Sequence, residues 1–138
     1  MSLDIALLES SFAMLAPRAP ELAERFYSRL FEHHPAVRAL FPGSMRDQQR
    51  HLIGALVTIV KGLRDGQKLD DFLRALAQVH AGYGVAPEHY PIVGENLLAV
   101  MRELAGSAWN DGHERAWADA YAAIQAIIYD ELDDRTGG

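Results

Sequence analysis

His80 combines a metal-binding side chain with a place that ordinarily takes Leu or Val. Forward from Asp65-Gly66-Gln67, apolar residues stand at Leu69, Phe72, Leu73, Leu76, Val79 and Tyr83, a spacing that predicts one inward helical face. His80 lies four after Leu76 and three before Tyr83, on the same stripe. An imidazole there must be hydrogen-bonded or must hold something, and what a neutral imidazole most often holds is a metal. Taken alone, it reads better as a core histidine satisfied by a hydrogen bond than as a metal ligand.

Three further positions invite chemistry. Tyr27 stands four after Ala23 and four before Phe31, so its ring points inward and its hydroxyl needs a partner. Gln48 stands four before Leu52, at the edge of an apolar helical face. Phe41 ends the cluster Val37, Leu40, Phe41 at a Pro-Gly loop, where an aromatic suits packing against something large. The other histidines look ordinary. His33 and His34 close a helix, where the dipole favours them, and His89 and His113 lie near helix starts. No two histidines are spaced four apart, so a zinc-protease chelate is absent. Gly82-Tyr83-Gly84 has neither the preceding strand nor the third glycine of a dinucleotide loop.

The elements that must position these residues are helical throughout. The first is expected over about Leu3 to Leu15, ending at Ala16-Pro17-Arg18-Ala19-Pro20. Pro20 suits the first turn of a second helix reaching about His34, and Pro35 opens a short turn to Gly43. Ser44-Met45-Arg46-Asp47 has a capping-box pattern, which predicts a helix from Met45 to about Arg64. The His80 helix ends near Gly84. The next is expected from Pro87 to about Leu104, with Pro91 costing it an early hydrogen bond. The last runs from about Asp111 to Asp133 and turns Trp117, Tyr121, Ile124, Ile127 and Ile128 inward, leaving residues 134–138 as a frayed polar tail. The expectation is one all-helical domain over residues 1–138, with no linker.

Composition narrows the chemistry. The 138 residues are 49% hydrophobic, enough for one full core. A net charge of −6 argues against nucleic acid and anionic membrane surfaces. No apolar run is long enough to span a membrane, and Met1-Ser2-Leu3-Asp4 lacks the basic start of a signal peptide, so the cytosol is the expected compartment. With no cysteine, thiolate zinc, iron–sulfur clusters and thiol catalysis are excluded. A metal must rest on His, carboxylates or a bound cofactor.

Several runs share a pattern with one family: Glu24-Arg25-Phe26-Tyr27-Ser28-Arg29-Leu30-Phe31, His34-Pro35-Ala36-Val37-Arg38-Ala39-Leu40-Phe41, the Gln48/Leu52 pair, and His80 followed by Gly84-Val85. His89-Tyr90-Pro91-Ile92-Val93-Gly94 and Ala116-Trp117-Ala118-Asp119-Ala120-Tyr121 continue it. In these the chain resembles bacterial single-domain haemoglobins of the flavohaemoglobin, Vitreoscilla-like class, from about Leu7 to Ile128. The resemblance implies a globin fold, a three-over-three helical sandwich, holding haem b. It implies His80 as the proximal iron ligand, Phe41 as the aromatic against the porphyrin, and Tyr27 with Gln48 as the distal polar pair. Leu52 would cover the open iron position, Phe26 and Val93 would help keep the pocket dry, and His51 would approach a haem propionate. The residues agree, since a phenol and an amide can both donate hydrogen bonds to a polarised dioxygen.

Two departures stand out. The family usually has a glutamate on its last helix that works with the tyrosine matching Tyr90 to polarise the proximal imidazole. Here that register lands on Leu132, with Glu131 one position early, and one residue turns a helical side chain by about 100°. Tyr90 and Glu131 are therefore candidates for the proximal network, and Tyr90 reads as structural if Glu131 misses it. The family also often has a basic residue where this chain has Val79.

What the resemblance implies is reversible dioxygen binding, in storage or transport, and conversion of nitric oxide to nitrate with electrons from a separate reductase. Diatomic gases and that reductase are the expected partners, with the chain as monomer or homodimer. A haem-based gas sensor and a haem-free regulatory globin are the alternatives, and peroxidase-like activity is disfavoured by the displaced Glu131.

Overall fold

The computed structural model describes residues 3–41 and 43–137, with side chains as far as Asp133. Six α-helices run through the described residues: α1 (Ile5–Leu15), α2 (Ala19–His33), α3 (Met45–Gly62), α4 (Gly66–Gly82), α5 (His89–Ala105) and α6 (Asp111–Gly137). Short 3-10 segments at Ala16–Arg18, Pro35–Leu40 and Gly106–Ala108 join them.

Short polar side chains fix where four of the helices start. Asp4 accepts from Leu7 N, Ser44 from Arg46 N, Asp65 from Lys68 N and Asn110 from His113 N, each at 3.1–3.2 Å. These bonds satisfy backbone donors that have no partner within the helix. The Ser44 cap is as expected, while Asp47 pairs with Arg50 at 2.6 Å.

Three boundaries differ from the sequence reading. α5 begins at His89, not Pro87, and Pro91 is then its third residue. A third-residue N–H lacks an intrahelical acceptor anyway, so Pro91 costs no helical hydrogen bond. α3 ends at Gly62, two residues before Arg64. α6 continues past Asp133 through the stretch expected as a tail, to Gly137, and Gly138 lies outside the described residues.

The helices form two layers of three, α1, α3 and α4 against α2, α5 and α6. They meet through α4 on α6, α2 on α3 and α1 on α6, while α5 packs beside both α2 and α6. This is the globin fold in a single domain. The larger core cluster centres on Leu8, Phe26, Leu30, Val100 and Met101, all at most 2% exposed. A second gathers Leu73, Ala77, Tyr90 and Ile128 between α4, α5 and α6.

One buried polar contact clamps α1 to α6. Ser11 Oγ accepts from Trp117 Nε1 at 2.9 Å and donates to the Leu7 carbonyl at 2.7 Å. Ser11→Ala would strand the buried indole N–H, at a cost of about 1–3 kcal/mol. Urea unfolding should show that loss, whereas Ser10→Ala, at an exposed site, should change little.

Candidate functional site

The α4 stripe holds its register for about three turns, from Leu69 to His80, and then departs from the sequence reading. Leu73 and Ala77 are fully buried, and Leu69, Phe72, Leu76 and His80 are half-buried. Val79 and Tyr83, expected inward, are 55% and 61% exposed. Val79 is rotated about 100° from His80, away from the Leu73–Ala77 line, and Tyr83 lies just beyond the last helical residue. Among the described residues only three large hydrophobic side chains are exposed, and these two flank His80.

The turn after α4 brings Tyr90 to the imidazole. The His80 carbonyl accepts from both Tyr83 N and Val85 N, and Gly84 reverses the chain at φ +89°, where a side chain would be strained. Leu40 lies against Gly84, within 3.7 Å of where a Cβ would stand, joining the Pro35–Leu40 segment to this turn. Tyr90 then places its hydroxyl 3.3 Å from His80 Nδ1. In the tautomer with Nδ1–H donating to that oxygen, Nε2 is the bare nitrogen that can take a metal. Burial holds the imidazole pKa below its ordinary value, which favours the neutral, ligating form.

Two tyrosines of α6, whose roles the sequence did not disclose, hold Tyr90. Tyr121 donates to the Tyr90 carbonyl and packs its ring directly on Gly94. Tyr129 donates to the Pro87 carbonyl at 2.7 Å and meets the Tyr90 ring edge-on at 6.1 Å. Tyr129 is eight residues after Tyr121, on the same face of α6, and that spacing is the one signal that could have found it. Burial, with a lesser contribution from Tyr129, raises the Tyr90 phenol to about 12, so it stays protonated. Glu131 is turned elsewhere: it accepts from Gln78 and pairs with Arg74, which also binds Asp70 and Asp130. Leu132 packs instead against the cluster around Tyr90.

Between α2 and the segment before α3, Tyr27, Phe31 and Phe41 form an aromatic nest with ring centroids 5.3–5.8 Å apart. These contacts account for an aromatic at position 41. The Tyr27 hydroxyl donates to the Gln48 backbone carbonyl at 3.2 Å, and burial raises its pKa to about 12. Gln48, Leu52 and Val93 are half-buried, Phe26 is fully buried, and His51 is exposed beside Leu52. The structure thus gathers Tyr27, Gln48 and Phe41 in one group and His80 with Tyr90 in another, and leaves Glu131 apart.

The half-buried edges show what this arrangement can hold. Phe41, Leu52, Ile92 and Val93 rim the first core cluster, and Phe72, Leu76 and Val85 rim the second. Among the described residues no group of three or more His, Asp or Glu side chains could hold a bare metal ion. A lone histidine between apolar edges suits a metal that arrives with its other ligands, inside a large apolar group. Haem fits these residues: His80 would hold the iron, and the two rims with Val79 would cover the porphyrin.

Comparison with known proteins agrees with this reading. The globin family profile matches residues 24–128, and the chain belongs to the globin family, whose cofactor is haem. Within that family, it is 32% identical to the flavohemoprotein of Rhizobium meliloti, over 96% of this chain and 35% of that protein. It is 34% identical to the flavohemoprotein of Chromobacterium violaceum, over 86% of this chain and 30% of that protein. The chain therefore spans about a third of the length of these curated relatives. Among solved structures, a bacterial globin from Campylobacter jejuni superposes with a TM-score of 0.82 at 25% identity, over 97% of each chain. An engineered carbene transferase from Rhodothermus marinus shares the fold, with a TM-score of 0.85 at 24% identity over 98% of this chain and 97% of that one. No helix among the described residues is long and apolar enough to cross a membrane.

Proposed function

We propose that this globin binds dioxygen reversibly at a haem held by His80, and that it supports oxidation of nitric oxide to nitrate when a separate reductase supplies electrons. The observation that carries the reading is His80 itself, with Nδ1 against the Tyr90 hydroxyl and Nε2 available amid uncovered apolar side chains. When bound, haem supplies an iron that takes a diatomic gas and exchanges single electrons. The chain's own residues do the rest. Tyr90 orients the imidazole. Leu52, Phe41 and Val93 exclude water. Tyr27 and Gln48 offer donors to a polarised gas, and the exposed His51 would approach a haem propionate.

The Tyr27 proton points at the Gln48 carbonyl, so donating to a gas requires the hydroxyl to rotate away from that bond. Losing the bond costs about 0.5–1.5 kcal/mol, which offsets part of the gain. Tyr27→Phe should therefore speed dioxygen release modestly while leaving carbon monoxide release nearly unchanged, because carbon monoxide is the less polarised ligand. Stopped-flow displacement measures both, and equal off-rates in variant and wild type would remove Tyr27 from the distal site.

The test of the whole reading is a visible spectrum of protein prepared with haem supplied, reduced by dithionite and exposed to oxygen. A sharp Soret band with reversible oxygenation is expected. Protein without bound haem would overturn it and leave a haem-free regulatory globin.

A further inference from the structure

Tyr90 stands where its own helix holds it least. It is the second residue of α5, and Glu88, at the start of that helix, provides no side-chain cap. Backbone donors in a first turn have no partner within the helix, so an uncapped start frays unless something outside holds it. Yet the Tyr90 hydroxyl must stay 3.3 Å from Nδ1 of His80, ten residues back along the chain and across the turn at Gly84. Tyr121 bonds the Tyr90 carbonyl, which fixes the backbone and not the phenol ring.

Tyr129 of α6 supplies the missing hold at two points. Its hydroxyl donates at 2.7 Å to the Pro87 carbonyl, the same oxygen that accepts from Tyr90 N at 3.2 Å. Its ring meets the Tyr90 ring edge-on, with 84° between the planes and the centroids 6.1 Å apart. The imidazole of His80 meets Tyr90 at the same separation, tilted by 43°. Among the described residues no other ring touches Tyr90, so Tyr129 is the one aromatic besides the imidazole that sets the plane of its phenol. We propose that Tyr129 is a positioning residue for iron ligation: it holds the Tyr90 phenol against Nδ1, which fixes the His80 ring and leaves Nε2 as the ligating nitrogen. Partners on the far nitrogen of a ligating imidazole orient the ring and raise its basicity. Tyr129 acts one step further out, through Tyr90. The iron part rests on the haem reading above, whereas the hold on Tyr90 does not.

The test compares the full chain, loaded with haem and reduced, in wild type and variants. Tyr129→Leu keeps apolar bulk for folding and removes both the aromatic edge and the hydroxyl. Its iron–imidazole stretching line in resonance Raman spectra should fall to the position that Tyr90→Phe gives. Haem loss to an excess of a scavenging apoglobin should quicken about 10-fold. Tyr129→Phe, which keeps the ring, should return both to near wild-type values, because Tyr90 N still holds the Pro87 carbonyl. Ile59→Ala trims the same apolar cluster from α3 and should lower stability without moving the line. A line unmoved in Tyr129→Leu, or moved as far by Ile59→Ala, would overturn the proposal. If wild type retains no haem, nitrogen-15 spectra of His80 in the haem-free chain still decide. There Tyr129→Leu should bring the ring nitrogens to the Tyr90→Phe shifts, and unchanged shifts would overturn the hold on Tyr90.

Discussion

His80→Ala is expected to end stoichiometric haem retention while leaving the helical content intact. His80 sits in the last turn of α4, half-buried, and its recorded side-chain hydrogen bond is to Tyr90. The packing of α4 on α6 runs instead through Leu73, Ala77 and Ile128, with the Arg74 ion pairs beside them, all of which the substitution spares. On the proposed reading the imidazole is dispensable for the fold and needed for haem. Soret absorbance after gel filtration, set beside far-ultraviolet circular dichroism, separates the two. Adding imidazole to the variant should restore part of the Soret band, since the free base can occupy the vacated space. A histidine that merely filled the core would show no such rescue. A variant that kept haem with an unaltered spectrum would move the ligand elsewhere.

Gly94→Ala is expected to destabilise the protein, against the usual trend. Alanine in place of a helical glycine ordinarily adds about 1 kcal/mol. Here a Cβ would stand 2.4–2.8 Å from three atoms of the Tyr121 ring, so that ring must move. Tyr121 is not free to swing, because its hydroxyl bonds the Tyr90 carbonyl. Overpacking of this kind costs about 1–3 kcal/mol. The displacement also loosens Tyr90, which faces His80. Urea unfolding should show the loss. In a Tyr121→Leu background the same substitution should become neutral or stabilising, because the obstructing ring is gone. An equal penalty in both backgrounds would mean that Tyr121 is not the cause.

The residues that were readable in advance share one property: local spacing fixes them. His80 on the Leu69–Leu76 stripe, Tyr27 between Ala23 and Phe31, and the Ser44 cap follow from periodicity within single helices. The structure places the latter two as expected and holds His80 half-buried beside Tyr90. The same reasoning overreached at the end of α4. Val79 and Tyr83 continue the apolar pattern but face outward, because no other helix among the described residues covers that edge. An apolar side chain in a sequence carries no mark of whether protein or a cofactor is to cover it. Pro91 misled in the opposite sense, since its cost depended on where α5 began.

Glu131 shows the limit most clearly. The count along α6 put it one position away from the expected register, and that offset was visible in the chain alone. Its destination was not, because it depends on how α6 is rotated against α4. The structure turns Glu131 to Arg74 and Gln78, and Leu132 to the Tyr90 cluster.

The sequence by itself determined the helical fold, a single domain without thiol chemistry and the resemblance to haem globins, and it singled out the histidine proposed to hold iron. Each depends on composition or on periodicity along one helix. Only the tertiary structure decided that Tyr90 meets His80, that Tyr27 bonds a backbone carbonyl, that Tyr121 lies on Gly94 and that Tyr129 meets the Tyr90 ring. Those outcomes depend on the relative rotation and separation of helices distant in the chain. Packing summed over the whole core sets both quantities, and no local pattern encodes them.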